Sequence, residues 1–267
     1  MVADYAIIIP ARYASQRYPG KPLAQLRGAS GQSRSLIERV WTVAAALAGP
    51  ERTWVATDDD RIVAEVARFG GRTVVTPASC RNGTERCAAA LAELGEVAPV
   101  IVNLQGDAPL TPASVISELV SALSVDPGTA MTTPAVPCSA SLYDHLVGDQ
   151  AAGRVGGTTV VFDRDLRALY FSKRVIPHVP EGEQDSHRHV HLHLGVYAYR
   201  PDALARYVAA PPSPFEQVEG LEQLRFLEHG ETVRVVPVAA PGWDCIELNN
   251  PEDVPAIEAV MARQGIE

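Results

Sequence analysis

Four short apolar runs, AIII (6–9), TWVAT (53–57), RTVVT (72–76) and VIVNL (100–104), alternate with stretches whose apolar residues recur at helical spacing. Consecutive apolar positions mark strands buried on both faces, so this alternation predicts an α/β fold: a mainly parallel, doubly wound sheet with helices on both sides. Between the first two runs, Leu36, Ile37, Val40, Val43, Ala44 and Leu47 fall on one helical face. Ser35 with Glu38 three residues on is a helix start, and Gly49-Pro50 is a stop. A second helix is expected over 61–69, a third through TERCAAALAEL (84–94), and a fourth with Pro112 in its first position.

After about residue 129 the pattern becomes strand-rich: AMTTPAV (130–136), TTVVF (158–162), ALYFS (168–172), LGVYAYR (194–200), TVRVVPV (232–238) and CIEL (245–248). Helices are expected over 201–209, over 215–228 and after Pro251, and HVPEGEQDS (178–186) reads as a loop. The expected organisation is one domain over 1–267 with an inserted β-rich lobe at about 129–200. A net charge of -9 argues against nucleic acid as the main partner, and no apolar run approaches a membrane span. Cys80, Cys87, Cys138 and Cys245 form no C-x-x-C pair, so reduced thiols and a cytoplasmic location are expected.

The end of the first strand carries an unusual load. Residues 7–23, IIIPARYASQRYPGKPL, break from three isoleucines into Arg12, Arg17 and Lys21 around Pro19, Gly20 and Pro22. In open parallel sheets, ligands bind beyond the carboxyl ends of the strands. Two guanidinium forks and an ammonium on a stiffened loop there suit a triphosphate. The loop matches neither common glycine-rich phosphate pattern.

IIPARYASQRYPGKPL (8–23) resembles the opening signature of the 3-deoxy-manno-octulosonate (Kdo) cytidylyltransferases, which join CMP from CTP to an acidic sugar. The resemblance continues in order through VATDD (55–59), NGTER (82–86), VNLQGD (102–107), ALYFS, HLGVYAYR (193–200), LEQLR (221–225) and NPEDV (250–254). It implies a nucleotidyltransferase with a Rossmann-like sheet, Mg²⁺ as cofactor, CTP and a small acidic acceptor as partners, and a homodimer formed through the inserted lobe. By that resemblance Arg12, Arg17, Lys21 and Asp107 are the catalytic set. The nucleotide falls to Ala11, Arg12 and Lys21 together with Asn82, Gly83, Thr84, Arg86 and Gln105. Thr84 is also a candidate helix cap.

A hard divalent ion needs oxygen ligands, and Asp107 after the fourth strand is the first. Where the family carries a second aspartate, this chain has Asn249; Glu247 lies two residues earlier, on the same side of an extended segment. Asp107 and Glu247 are therefore the expected metal ligands, with Asn249 a neutral oxygen beside them.

On the acceptor side the resemblance implies His193, Tyr197, Glu222 and Gln223, with Lys173 and Arg174 as compensating cations. Three family residues are replaced: a glutamate by Ala108, a lysine by Thr159 and an arginine by Leu192; Gly156 stands where an asparagine is expected. The acceptor is then either Kdo or a different small acid such as a phosphonoformate-like phosphonate. A CTP-binding regulator without catalysis is the alternative from another class. His187, His189, His191 and His193 alternate as on one face of a strand, but a strand edge toward solvent is the expected reading for all but His193.

Overall fold

Ile7, Ile8 and Ile9 are all fully buried, as are Val55, Ala56, Ile101 and Val102. Only strands covered on both faces do this. The computed structural model describes residues 4–15, 17–180, 182–240, 242–243 and 247–267. The chain divides into two compact units, residues 1–116 with 241–267, and residues 117–240.

In the first unit, β1 (Tyr5–Pro10) leads through the cationic loop to a small hairpin, β2 (Gln25–Arg27) and β3 (Ser33–Ser35). Then follow α1 (Leu36–Ala48), β4 (Thr53–Thr57), α2 (Asp60–Arg68), β5 (Arg72–Val75), α3 (Gly83–Leu94) and β6 (Val100–Leu104). The strands run parallel in the order β5-β4-β1-β6. Each fully buried Ile or Val contributes roughly 1.5–3 kcal/mol, so the strands form a stiff base for the loops that leave their carboxyl ends. Ser35 caps α1 by accepting from the Glu38 amide at 3.3 Å, as the sequence indicated. The C-terminal helix (Val254–Gln264) returns to this unit, where Glu258 accepts from the Arg27 amide and side chain.

The unit boundary falls within α4 (Ala113–Val125). The second unit continues with β7 (Met131–Pro137), α5 (Ala140–Ala151), β8 (Thr158–Phe162), β9 (Ala168–Ser172), β10 (His191–His193) and β11 (Val196–Tyr199). It closes with α6 (Pro201–Ala209), α7 (Pro214–Glu219), α8 (Leu224–Glu228) and β12 (Val233–Pro237). β10 and β11 both pair antiparallel with β7, β12 pairs parallel with it, and β8 and β9 extend the sheet antiparallel beyond β10. The expected lobe at about 129–200 lies inside this unit.

Five details depart from the sequence expectations. The hairpin β2–β3 was not foreseen, nor was α5, whose ASLYDHLVGDQA buries only Leu146 and so gives little helical periodicity. The helix expected over 215–228 is two helices, broken at Gly220, which adopts φ +63°. The loop expected over 178–186 passes into a 3₁₀ turn at Gln184–His189, so His187 and His189 are not on a strand, and β10 holds only His191 and His193. Of the expected CIEL strand, Cys245 and Ile246 lie outside the described residues; Glu247 and Leu248 are not in a strand. No helix among the described residues is long and apolar enough to cross a membrane.

Candidate active site

The parallel register puts Pro10, Thr57 and Leu104 at the same end of the first unit's sheet. Two glycines allow the loops there to close on one another. A Cβ on Gly106 would lie 2.9 Å from the Pro10 carbonyl, so the LQGD loop runs directly against the end of β1. A Cβ on Gly83 would lie 2.9 Å from the Gln105 amide nitrogen, so the start of α3 rests on that side chain. Thus the segments carrying the cations, NGTER and LQGD converge.

The cationic loop is built around Tyr13. The Gly20 amide donates to the Tyr13 carbonyl at 2.9 Å; Gly20 adopts φ +73°, which favours glycine, and a Cβ added there would lie 3.1 Å from the Tyr13 ring. The turn that follows presents Lys21, whose ammonium meets the Asp107 carboxylate at 2.6 Å. Arg17 donates to the side-chain oxygen of Asn249 at 2.8 Å. Arg12 is exposed on the loop, and Ala11 is buried with its amide on the Ala56 carbonyl.

The late segment reaches the same place. The Leu248 amide donates to the Asp107 carbonyl at 2.9 Å, and the Leu248 side chain is fully buried. Glu247 and Asn249, on either side of it, hydrogen-bond to each other. Burial and then the charge of Asp107 push the Glu247 carboxyl up to about 7; the Asn249 hydrogen bond and the charges of Lys21 and Arg17 act against this. Asp253 is occupied as a cap, accepting from the Asn249 and Asn250 amides at 2.9 and 2.7 Å. Asp107 and Glu247 are hard oxygen donors whose mutual repulsion a divalent cation relieves, so the donor set fits Mg²⁺. The Asn249 side-chain oxygen beside them accepts from Arg17. Among the described residues, no group of three or more His, Cys, Asp or Glu is arranged as a metal cluster.

At the start of α3, the cap is Asn82 and not Thr84: its side chain accepts from the Glu85 amide at 2.8 Å, while Thr84 is buried inside the helix. Arg86 is also buried, pairing with Asp58 at 2.9 Å and donating to the Thr76 hydroxyl at 2.7 Å. The sequence offered Asp58 only as part of VATDD; its task of fixing Arg86 became visible with the fold.

In the second unit, β-sheet parity sorts the acceptor-side residues. His193 is opposite Ala135, and Tyr197 follows on β11, so both side chains lie on the face of Thr133. His193 Nε2 lies 2.8 Å from the Thr133 hydroxyl. That hydroxyl donates to the Val196 carbonyl at 2.9 Å, which leaves its oxygen to accept from Nε2–H and keeps Nδ1 as an acceptor. Burial pushes the His193 imidazole down to about 3, so the ring is neutral at pH 7. The Tyr197 hydroxyl reaches the Gln223 side-chain oxygen at 3.4 Å, and Gln223 is buried. Glu222 is half-buried and gives its carbonyl to the Tyr207 hydroxyl.

Thr159 and Leu192 are register partners and lie on the opposite face. Leu192 packs against the apolar cluster of Cys138, Leu146 and Val190, and a Cβ on Gly157 would lie 2.6 Å from its Cδ1. The Thr159 hydroxyl donates to the Arg174 carbonyl at 2.6 Å and accepts from the Ile176 amide at 3.1 Å. Gly156 abuts Asp149 of α5. Lys173 is half-buried with its amide on Glu219 at 3.0 Å; the Arg174 side chain is exposed.

Residues 6–233 match the family model described as Cytidylyltransferase. The chain is 44% identical to the 3-deoxy-manno-octulosonate cytidylyltransferase of Maricaulis maris over 97% of each chain, and 40% identical to that of Desulfatibacillum aliphaticivorans over 97% of this chain and 98% of that one. Among solved structures, a CMP:2-keto-3-deoxy-manno-octonic acid synthetase complexed with CTP matches with TM-score 0.83 and 33% identity, covering 98% of this chain and all of that one. A 4-diphosphocytidyl-2C-methyl-D-erythritol synthase from Anaerococcus prevotii shares the fold at TM-score 0.58 and 14% identity, over 97% of this chain and 96% of that one. The chain is thus a CTP-using nucleotidyltransferase and belongs to the 3-deoxy-manno-octulosonate cytidylyltransferase family.

Proposed function

We propose that this enzyme transfers CMP from CTP to 3-deoxy-manno-octulosonate, or to a 2-keto sugar acid of the same build, with release of pyrophosphate. In this reading Arg12, Arg17 and Lys21 receive the triphosphate, and Asn82, Gly83 and Gln105 shape the base site. Arg86 holds its surroundings through Asp58 and Thr76. Asp107 and Glu247 would hold Mg²⁺, which neutralises phosphate charge when bound. Asn249 ties Arg17 to Glu247 and keeps cation and carboxylate in register. Catalysis then rests on positioning and electrostatics. His193, neutral and held by Thr133, orients the acceptor through Nδ1; it is too weak a base to remove its proton at pH 7.

One observation carries the acceptor assignment. The family residues retained on this side, His193 and Tyr197, share a face with Thr133, whereas the replaced positions Thr159 and Leu192 lie on the other face and serve packing and backbone. Their replacement therefore leaves the His193 face intact. Ala108 favours the second reading, a smaller acid such as phosphonoformate. It sits beside Asp107, and its methyl offers no acceptor for a sugar hydroxyl. Homodimer formation belongs to the same proposal; Leu169 on β9 and Phe215 and Val218 on α7 are exposed apolar residues suited to an interface. The test is pyrophosphate release from CTP and MgCl₂ with Kdo, and mass spectrometry of the product. A CMP–Kdo ester supports the proposal. Pyrophosphate release with phosphonoformate alone transfers it to the second reading.

A further inference from the structure

Outside the residues assigned to CTP, one contact ties a neighbouring helix to the cationic loop. The Arg61 guanidinium carbon lies 3.2 Å from the centroid of the Tyr13 ring. Arg61 is also bound by a forked pair of bonds to Asp59, Nε to Oδ1 at 2.9 Å and Nη2 to Oδ2 at 2.6 Å. Asp59 is itself fixed: it caps α2 by accepting from the Arg61 amide at 3.0 Å, and its own amide donates to the Thr57 hydroxyl at 3.3 Å. The sheet end, the helix cap and the guanidinium thus form one rigid bracket.

Besides Arg61 over its face, the Tyr13 ring has Gly20 beside its hydroxyl end, where an added Cβ would lie 3.1 Å from Cε2, Cζ and Oη. Gly20 introduces the turn whose next residue is Lys21, and the Tyr13 carbonyl accepts from the Gly20 and Ser15 amides, both at 2.9 Å. A shift of the ring therefore moves the Gly20 turn, and with it the ammonium facing Asp107. We propose that Arg61 is a positioning residue for CTP: through Tyr13 it holds the cationic loop in the shape that receives the triphosphate. The inference rests on the loop being the triphosphate site. An exposed cation stacked on an aromatic ring contributes enough to change binding by about two- to five-fold.

The test uses the full-length protein and reads CTP affinity by calorimetry with MgCl₂ present, together with steady-state KM and kcat. Arg61→Ala is expected to weaken CTP binding and raise its KM by about two- to five-fold, with acceptor KM unchanged and the larger part of the effect in KM. Arg61→Lys recovers part of the loss. Tyr13→Leu weakens CTP binding at least as much, and adding Arg61→Ala to it costs nothing further, because both act through one contact. Arg72→Ala, which removes the comparable stack on Trp54, is the control and leaves CTP affinity unchanged. Additive losses in the double variant would mean that Arg61 meets the triphosphate itself, and unaltered CTP affinity in Arg61→Ala would mean that it does nothing for the loop; either overturns the inference. Failure of the wild-type protein to bind CTP would instead remove the reading of the loop on which it rests.

Discussion

The two units answer sequence change in different ways. In the first, chemistry-bearing residues come from segments far apart in the chain and end as each other's partners: Lys21 with Asp107, Arg17 with Asn249, Asn249 with Glu247. In the proposed function, the departure of Asn249 from the acid that the family resemblance implies is absorbed within the network, with Glu247 supplying the charge and Asn249 the connection to Arg17. In the second unit, replacements at Thr159 and Leu192 sit one residue or one register step from retained positions, yet they face the other way. A neighbour in sequence is a neighbour in the site only when the backbone period allows it.

The comparison can be broken at several points. The largest effect is expected in the first unit. Asp107→Asn should lower pyrophosphate release by about three orders of magnitude, and Lys21→Ala by about two, both with melting temperatures near wild type. An Asp107→Asn enzyme that keeps its rate would dismantle the converging-loop site. In the second unit, His193→Phe should raise acceptor KM by about tenfold while CTP affinity holds, in line with the loss of a buried hydrogen-bonding group. Leu192→Ala should do the reverse, leaving acceptor KM alone and costing about 2 kcal/mol of stability. Any exchange of these two outcomes would invalidate the face assignment.

The smallest effect concerns pH. The Glu247 carboxyl is raised to about 7, above its ordinary 4.5, by burial and by Asp107. Over that window the folded chain keeps a proton that the unfolded chain has released, so stability falls as pH rises from about 4.5 to about 7. Melting temperatures measured across this range without divalent cations should show the decline, and Glu247→Gln should flatten it. A decline that persists in Glu247→Gln belongs to another group.

Most of the first unit was legible because its signals are local: isoleucine runs, the Ser35 and Glu38 cap, and the stop at Gly49. The convergence at the site followed from parallel strands ending at one edge. What the sequence could not show was occupancy. Arg86 reads as a ligand-binding cation in NGTER, and only the fold reveals Asp58 and Thr76 holding it. Thr84 reads as a cap, but the helix starts two residues earlier than that reading and gives the task to Asn82. In the second unit α5 was missed because it buries a single leucine, and the alternating histidines read as one strand because the 3₁₀ turn before Val190 has no apolar signature. The parity of Leu192 depends on pairing with β7 and β8, a long-range property that the sequence alone does not display.

The most direct measurement is the acceptor profile, kcat/KM for Kdo and for phosphonoformate with CTP and MgCl₂, of the wild type and of the Thr159→Lys, Leu192→Arg double variant, which restores the family residues. The account predicts that the wild type turns over Kdo, and that the double variant keeps the same preference while losing stability as the arginine crowds Gly157. Turnover of Kdo only after both residues are restored would contradict it, because acceptor choice would then lie on the face assigned here to packing.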